Sequence, residues 1–159
     1  MVFISTKIKK SAATAFEREV IEREDFSLIK TEGFISPINE NSDFLFEAYT
    51  KEFGKNDADE FRQARANIIA DGKSNLKTAI QNIEKSGEKI LSKNALEKQK
   101  ICLIETEKIE KEISVRNFYK IIESSQQQKI YRLEISVLDV YLEEYKNRID
   151  EMLESFILK

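Results

Sequence analysis

Residues 130–157 read IYRLEISVLDVYLEEYKNRIDEMLESFI, and the period assigned to this stretch decides which fold the chain is expected to adopt. Taken at Tyr131, Ile135, Leu138, Leu142, Tyr145, Ile149, Met152 and Phe156, its apolar residues are spaced alternately by four and three. That alternation is the ~3.5-residue period of an a/d seam, which keeps one stripe of a helix against a partner. Ile135, Leu142, Ile149 and Phe156 take position a, and Tyr131, Leu138, Tyr145 and Met152 take d. A parallel homodimer would set Glu134 against Asp139, and Tyr at d is bulky for a two-stranded core. Tyr141 and Leu153 widen the stripe, while Ile130, Leu133, Val137 and Val140 make a second one. A face this broad predicts a helix inside a bundle, with neighbours on more than one side.

Working back from this stretch, helical patterns continue. Ile101, Ile104, Val115, Phe118 and Ile122 form a seam opened by Asn94 with Glu97, a capping-box spacing. From Ile122 to Tyr131 the stripe changes face, so the chain either turns within residues 124–128, which the phase reversal favours, or continues as one very long helix that offers its halves to different partners. Asp57 with Glu60 opens another helix, whose apolar face runs through Ala64, Ile68, Gly72, Leu76, Ile80, Ile83, Gly87 and Ile90. A shorter helix is expected from Ser42 or Asp43 to Gly54, and one from Ser11 to about Glu24. Only Phe26 to Ile38 reads differently: two β-prone runs around Gly33, with Pro37 confining the second to an edge, fit a small hairpin or an irregular loop.

The expected fold is therefore mainly α: a helical bundle or antiparallel coiled coil of long C-terminal helices, with a shorter, partly irregular N-terminal region. Residues 1–56 would pack on the long-helix unit of residues 57–159. Few Gly (4) and Pro (1) in 159 residues support that reading, as does a charged fraction of 35%.

Composition also excludes chemistry. There is no His, so Ser-His-Asp and Cys-His sites and His-bearing metal sites are not available from this chain. Cys102 stands alone between Ile101 and Leu103, which predicts a buried apolar role and a reducing, cytoplasmic setting. No apolar run reaches the ~20 residues that a membrane-spanning helix requires. The net charge of −3 offers no general attraction to nucleic acid or anionic lipid. Lys7, Lys9 and Lys10, interleaved with Phe3, Ile4 and Ile8, are too few to change that.

Gly72-Lys73-Ser74 resembles the end of a phosphate loop, but Asn67 stands where its first glycine belongs. Asn39, Asn41 and Asp43 have the alternate spacing of calcium ligands, yet Phe44 and Thr50 occupy the positions of the required Gly and Glu. Paired carboxylates are the remaining metal candidates: Asp57 with Glu60 and Glu107 with Glu110, at the helical spacing used by Mg-dependent hydrolases. Solvated, helix-capping charges explain them more simply.

The functional expectation is a non-enzymatic protein–protein interaction module, self-associating or binding another protein, with no cofactor. Its anchors would be Leu138, Tyr141, Leu142, Tyr145, Ile149, Met152 and Phe156. The alternatives are a helical Mg-dependent hydrolase and an acidic immunity-type inhibitor of a basic partner. The last is suggested by seven acidic against two basic residues from Glu134 to Glu154.

Overall fold

The computed structural model describes residues 15–37 and 42–159. Its framework is antiparallel β. Strands β1 (Glu19–Glu22), β2 (Phe26–Lys30) and β10 (Ile157–Leu158) form a small sheet with β2 in the middle. The large sheet contains β3 (Phe34–Ile35), β4 (Phe46–Thr50), β5 (Ala64–Asp71), β6 (Lys89–Leu96), β7 (Ile101–Glu110), β8 (Ile113–Ser124) and β9 (Lys129–Leu138). Its spatial order is β3-β4-β5-β9-β8-β7-β6. Helices α1 (Leu76–Glu84) and α2 (Leu142–Ser155) are the two α-helices among the described residues.

The helical bundle and the coiled coil expected from the apolar spacing are thus overturned. Residues 129–138 are a strand, because Tyr131, Leu133, Ile135 and Val137 alternate with Arg132, Glu134 and Ser136, the period-two pattern of a half-covered sheet. Of the heptad run only Leu142–Ser155 is α-helical, entered through a 3-10 turn at Asp139–Tyr141. The stretch from Asn94 forms β7 and β8, rich in the Ile, Val, Phe and Tyr that suit a pleated surface. The expected helix from Asp57 is replaced by a 3-10 turn (Asn56–Ala58), β5, α1 and β6. That from Ser42 gives way to β4. Gly72 and Gly87 face open space rather than a buried stripe.

Residues 26–30 and 34–35 are strands, yet not a hairpin with each other: β2 pairs with β1 and β10, and β3 with β4. The chain does turn within residues 124–128, joining β8 to β9. The N-terminal lysine patch, residues 11–14 at the start of the expected Ser11 helix, and Asn39 and Asn41 lie outside the described residues; the rest of that expected helix is overturned, since Glu19–Glu22 form strand β1.

One face of the large sheet carries Phe34, Phe46, Ala66, Ile68, Leu133 and Ile135 into the main core. The small sheet and α2 close over it, supplying Phe26 and Leu28 from one and Ile149, Met152 and Phe156 from the other. On the opposite face, Ala79 and Ile83 of α1 cover Cys102, Ile104, Tyr119 and Ile121. Strand β8 lies under both helices, and every residue from Asn117 to Ile122 is buried. Cys102 is fully buried, and burial pushes its thiol pKa up, so it is an apolar core residue. The far face of β4, β5 and β9, with Glu47, Tyr49, Arg65, Asn67, Arg132 and Glu134 in cross-strand register, is the more open one.

Candidate protein-interaction face

The connection between β4 and β5 rises beside that open face. Its two limbs stay together after the strands end, through a bridge between Phe53 and Arg62 and through the Gly54 N–H, which donates to the Phe61 carbonyl at 2.8 Å. The limbs come close because Gly54 has no side chain. A Cβ there would stand 2.6 Å from the Ala58 carbonyl oxygen and 2.6 Å from Leu138 Cδ1. Ala58 then packs with Leu138 and Val115 in a small core of its own.

Gln63 ties the loop to the body. Its N–H donates to Glu52 O (3.0 Å), its amide nitrogen to Phe53 O (3.1 Å), and its carbonyl accepts from the Leu138 N–H (3.0 Å). The Tyr145 hydroxyl, on α2, donates to the Gln63 side-chain oxygen at 2.7 Å. Burial pushes the Tyr145 pKa up, so this donor keeps its proton.

On this support the loop presents Arg62. Its guanidinium lies 4.4 Å from the Tyr49 ring centre and 4.1 Å from that of Phe53, between two aromatic faces. One of its nitrogens, Nη1, donates to Thr50 O and Lys51 O, each at 3.0 Å. Phe53 is nevertheless 44% exposed, and Val140, beside the neighbouring turn, is 83% exposed. A cleft of about 140 Å³ between Phe61, Arg62, Arg65 and Lys108 continues the surface towards β7. The arrangement is an aromatic–arginine–aromatic stack on a loop that cannot easily move, the composition that dominates binding energy at protein interfaces.

The residues singled out from the sequence fall elsewhere or beneath it. Tyr145, Ile149, Met152 and Phe156 are buried in the main core, and Leu138 is buried under Ala58. Tyr141 and Leu142 are half-buried against the main core. Of the four carboxylates, Glu60 and Glu110 line that same cleft, among Arg62, Arg65 and Lys108, while Asp57 and Glu107 lie outside it. Glu107 and Glu110, three apart on a strand, point to opposite faces. Glu107 accepts from Ser114 (3.0 Å), Glu110 pairs with Lys108 (3.4 Å) and Glu60 with Lys111 (3.0 Å), while Asp57 sits in the 3-10 turn. Among the described residues no three His, Cys, Asp or Glu side chains converge as metal ligands would.

Arg62 and Gln63 were missed because they carry no motif, and Phe53, which belongs to an aromatic-rich run that reads as core, is instead exposed. The available signal was local: the alternation of Phe46, Ala48 and Thr50 before the loop, and of Ala64, Ala66 and Ile68 after it, frames a hairpin whose tip must hold the aromatics.

Compared by sequence, the chain matches no family model and no curated protein. Compared by structure, it is similar to the Ran-binding protein Mog1p of Saccharomyces cerevisiae, with a TM-score of 0.62 at 12% identity, covering 90% of this chain and 96% of that one. It is also similar to the cyanobacterial PsbP of Synechocystis, with a TM-score of 0.54 at 9% identity over 90% of this chain and 92% of that one. A third neighbour is LpqN, involved in cell envelope biogenesis of Mycobacterium tuberculosis, with a TM-score of 0.56 at 10% identity over 90% and 91% of the two chains. At such identities the likeness is one of fold: this chain has the β architecture shared by Mog1p and PsbP.

Proposed function

We propose that the protein is a non-enzymatic protein–protein interaction module that binds a partner protein through the β4–β5 loop. The observation that carries this reading is the Tyr49–Arg62–Phe53 stack, tied to the Thr50 and Lys51 carbonyls through Arg62, with Tyr49 and Arg62 half-buried and Phe53 exposed. Such a surface loses little conformational freedom on docking, so more of its contact energy appears as affinity. The fold neighbour Mog1p, described as Ran-binding, supports the idea that this architecture can serve protein recognition. The apolar residues first expected to touch the partner enter the proposal as supports. Tyr145 and Leu138 hold the loop from below, and Tyr141 with Val140 forms its rim.

A photo-crosslinking amino acid placed at Phe53 tests this in the cells that make the protein. A discrete adduct with a second polypeptide is expected, and Arg62→Ala should weaken binding of that polypeptide by about ten- to a hundredfold, a hot-spot loss. The Arg62→Ala protein should stay folded and melt within several degrees of the parent, because the half-buried side chain holds the loop and lies outside the main core. The proposal fails if no adduct forms, or if the same probe at Lys73 gives the same one.

A further inference from the structure

Strand β6 ends the large sheet and is paired on one side only, with β7. All of its eight residues are exposed except Ile90, which is half-buried. Helix α1 touches it through Ile90 and the Lys93–Glu84 pair, but no backbone hydrogen bond from another described element reaches its outer N–H and C=O groups, which form an open edge, and such an edge accepts a further strand.

The charges around β6 select that strand. Between Lys85 and Lys100 there are five lysines and two glutamates, in a chain whose net charge is −3. One of those glutamates, Glu88, is turned inward, accepting from Thr106 (2.6 Å), Asn117 (2.9 Å) and Tyr119 (2.9 Å). Lys93 pairs with Glu84 at 3.4 Å; among the described residues, Lys85, Lys89 and Lys98 have no ion-pair partner. A second copy of the chain is opposed: antiparallel addition centred on Leu91 would set Lys89 directly against Lys93. The bulge between Ile90 and Ser92 also interrupts the register that a like strand would need. An acidic segment would make the same backbone bonds and meet opposite charge. Leu91 and Leu96, 38% and 37% exposed, supply apolar contacts beside the lysines.

We propose that β6 is a docking edge for an acidic, extended segment of another protein, which joins the large sheet as an additional antiparallel strand. This edge is distinct from the Arg62 surface and does not depend on it.

The probe is a fluorescein-labelled peptide alternating Glu with Val, read by anisotropy. It is compared with a Lys-for-Glu peptide, with a version N-methylated at alternate amides, and with oligothymidylate. The Glu peptide is expected to bind and to bring new amide-exchange protection to β6. Lys89→Glu, alone and combined with Lys93→Glu, should weaken it by about tenfold or more, the single variant melting within a few degrees of the parent and the double variant slightly lower through loss of the exposed Lys93–Glu84 pair. N-methylation should abolish binding. Equal binding of the N-methylated peptide, tighter binding of oligothymidylate, no binding of the Glu peptide, or a dimer that disappears in the Lys89→Glu variant would each overturn the proposal.

Discussion

Glu88 accepts hydrogen bonds from the side chains of Ser86, Thr106, Asn117 and Tyr119. Burial opposes its ionisation, yet hydrogen bonds from Thr106, Tyr119, Ser86 and Asn117 outweigh that cost and hold its pKa below the ordinary 4.5. A carboxyl depressed in the folded state stabilises the protein in full above its unfolded value, and that stability is lost as pH falls through the folded value. The parent should therefore lose melting temperature between neutral pH and pH ~3 more steeply than Glu88→Gln, whose side chain cannot titrate. At neutral pH, Glu88→Gln should cost about 1–3 kcal/mol, since the donors lose a charged acceptor. Thermal melts of both proteins across this range check the sign. None of this was legible beforehand, because Glu88 lies 18, 29 and 31 residues from the donors that fold brings to it. Arg62 hides for the same reason: a charged residue among Phe and Tyr gains meaning only when two rings flank it.

Between sequence and fold, elements were misread where two periods overlap. Tyr131, Ile135 and Leu138 satisfy a heptad, but Tyr131, Leu133, Ile135 and Val137 satisfy a strand, and the strand includes more of the apolar residues. Turn chemistry gave no warning. The hairpins of the large sheet close on Lys100, on Lys111 with Glu112, and on Gln128, all at positive φ between 51° and 68°, where Gly or Asn would be the usual sign. Helix α2 was legible, since Tyr145, Ile149 and Met152 keep helical spacing and are buried as such. Its partner was not: the stripe lies against β sheet instead of other helices. Ile149→Ala should destabilise the protein by about 2–5 kcal/mol in chemical unfolding, as fully buried side chains do. Gly54→Ala should cost about 1–3 kcal/mol, because its methyl would meet the Ala58 backbone, and it should weaken partner binding together with Arg62→Ala.

For the molecule as a whole, the pairing of β5 with β9 brings Ala64 beside Val137, and β10 returns to β2 at the opposite end of the chain. Such distant pairings require large loops to close before contacts repay the entropy. Refolding in stopped flow should therefore take on the order of milliseconds to seconds, where a helical bundle would finish in microseconds to milliseconds. Complete refolding within microseconds would contradict the sheet.

Composition and local spacing established that His-based chemistry is absent and that Cys102 has no intrachain partner, and they drew a helical stripe from Tyr131 to Phe156 of which only Leu142–Ser155 is α-helix, because counts and spacing do not depend on tertiary contacts but the choice between two periods does. They did not establish which residues are strands or which side chains meet. Both depend on neighbours tens of residues away, and only the folded chain, by pairing β4 with β5 and β6 with β7, places Arg62 between its rings and leaves β6 with a neighbour on one side only.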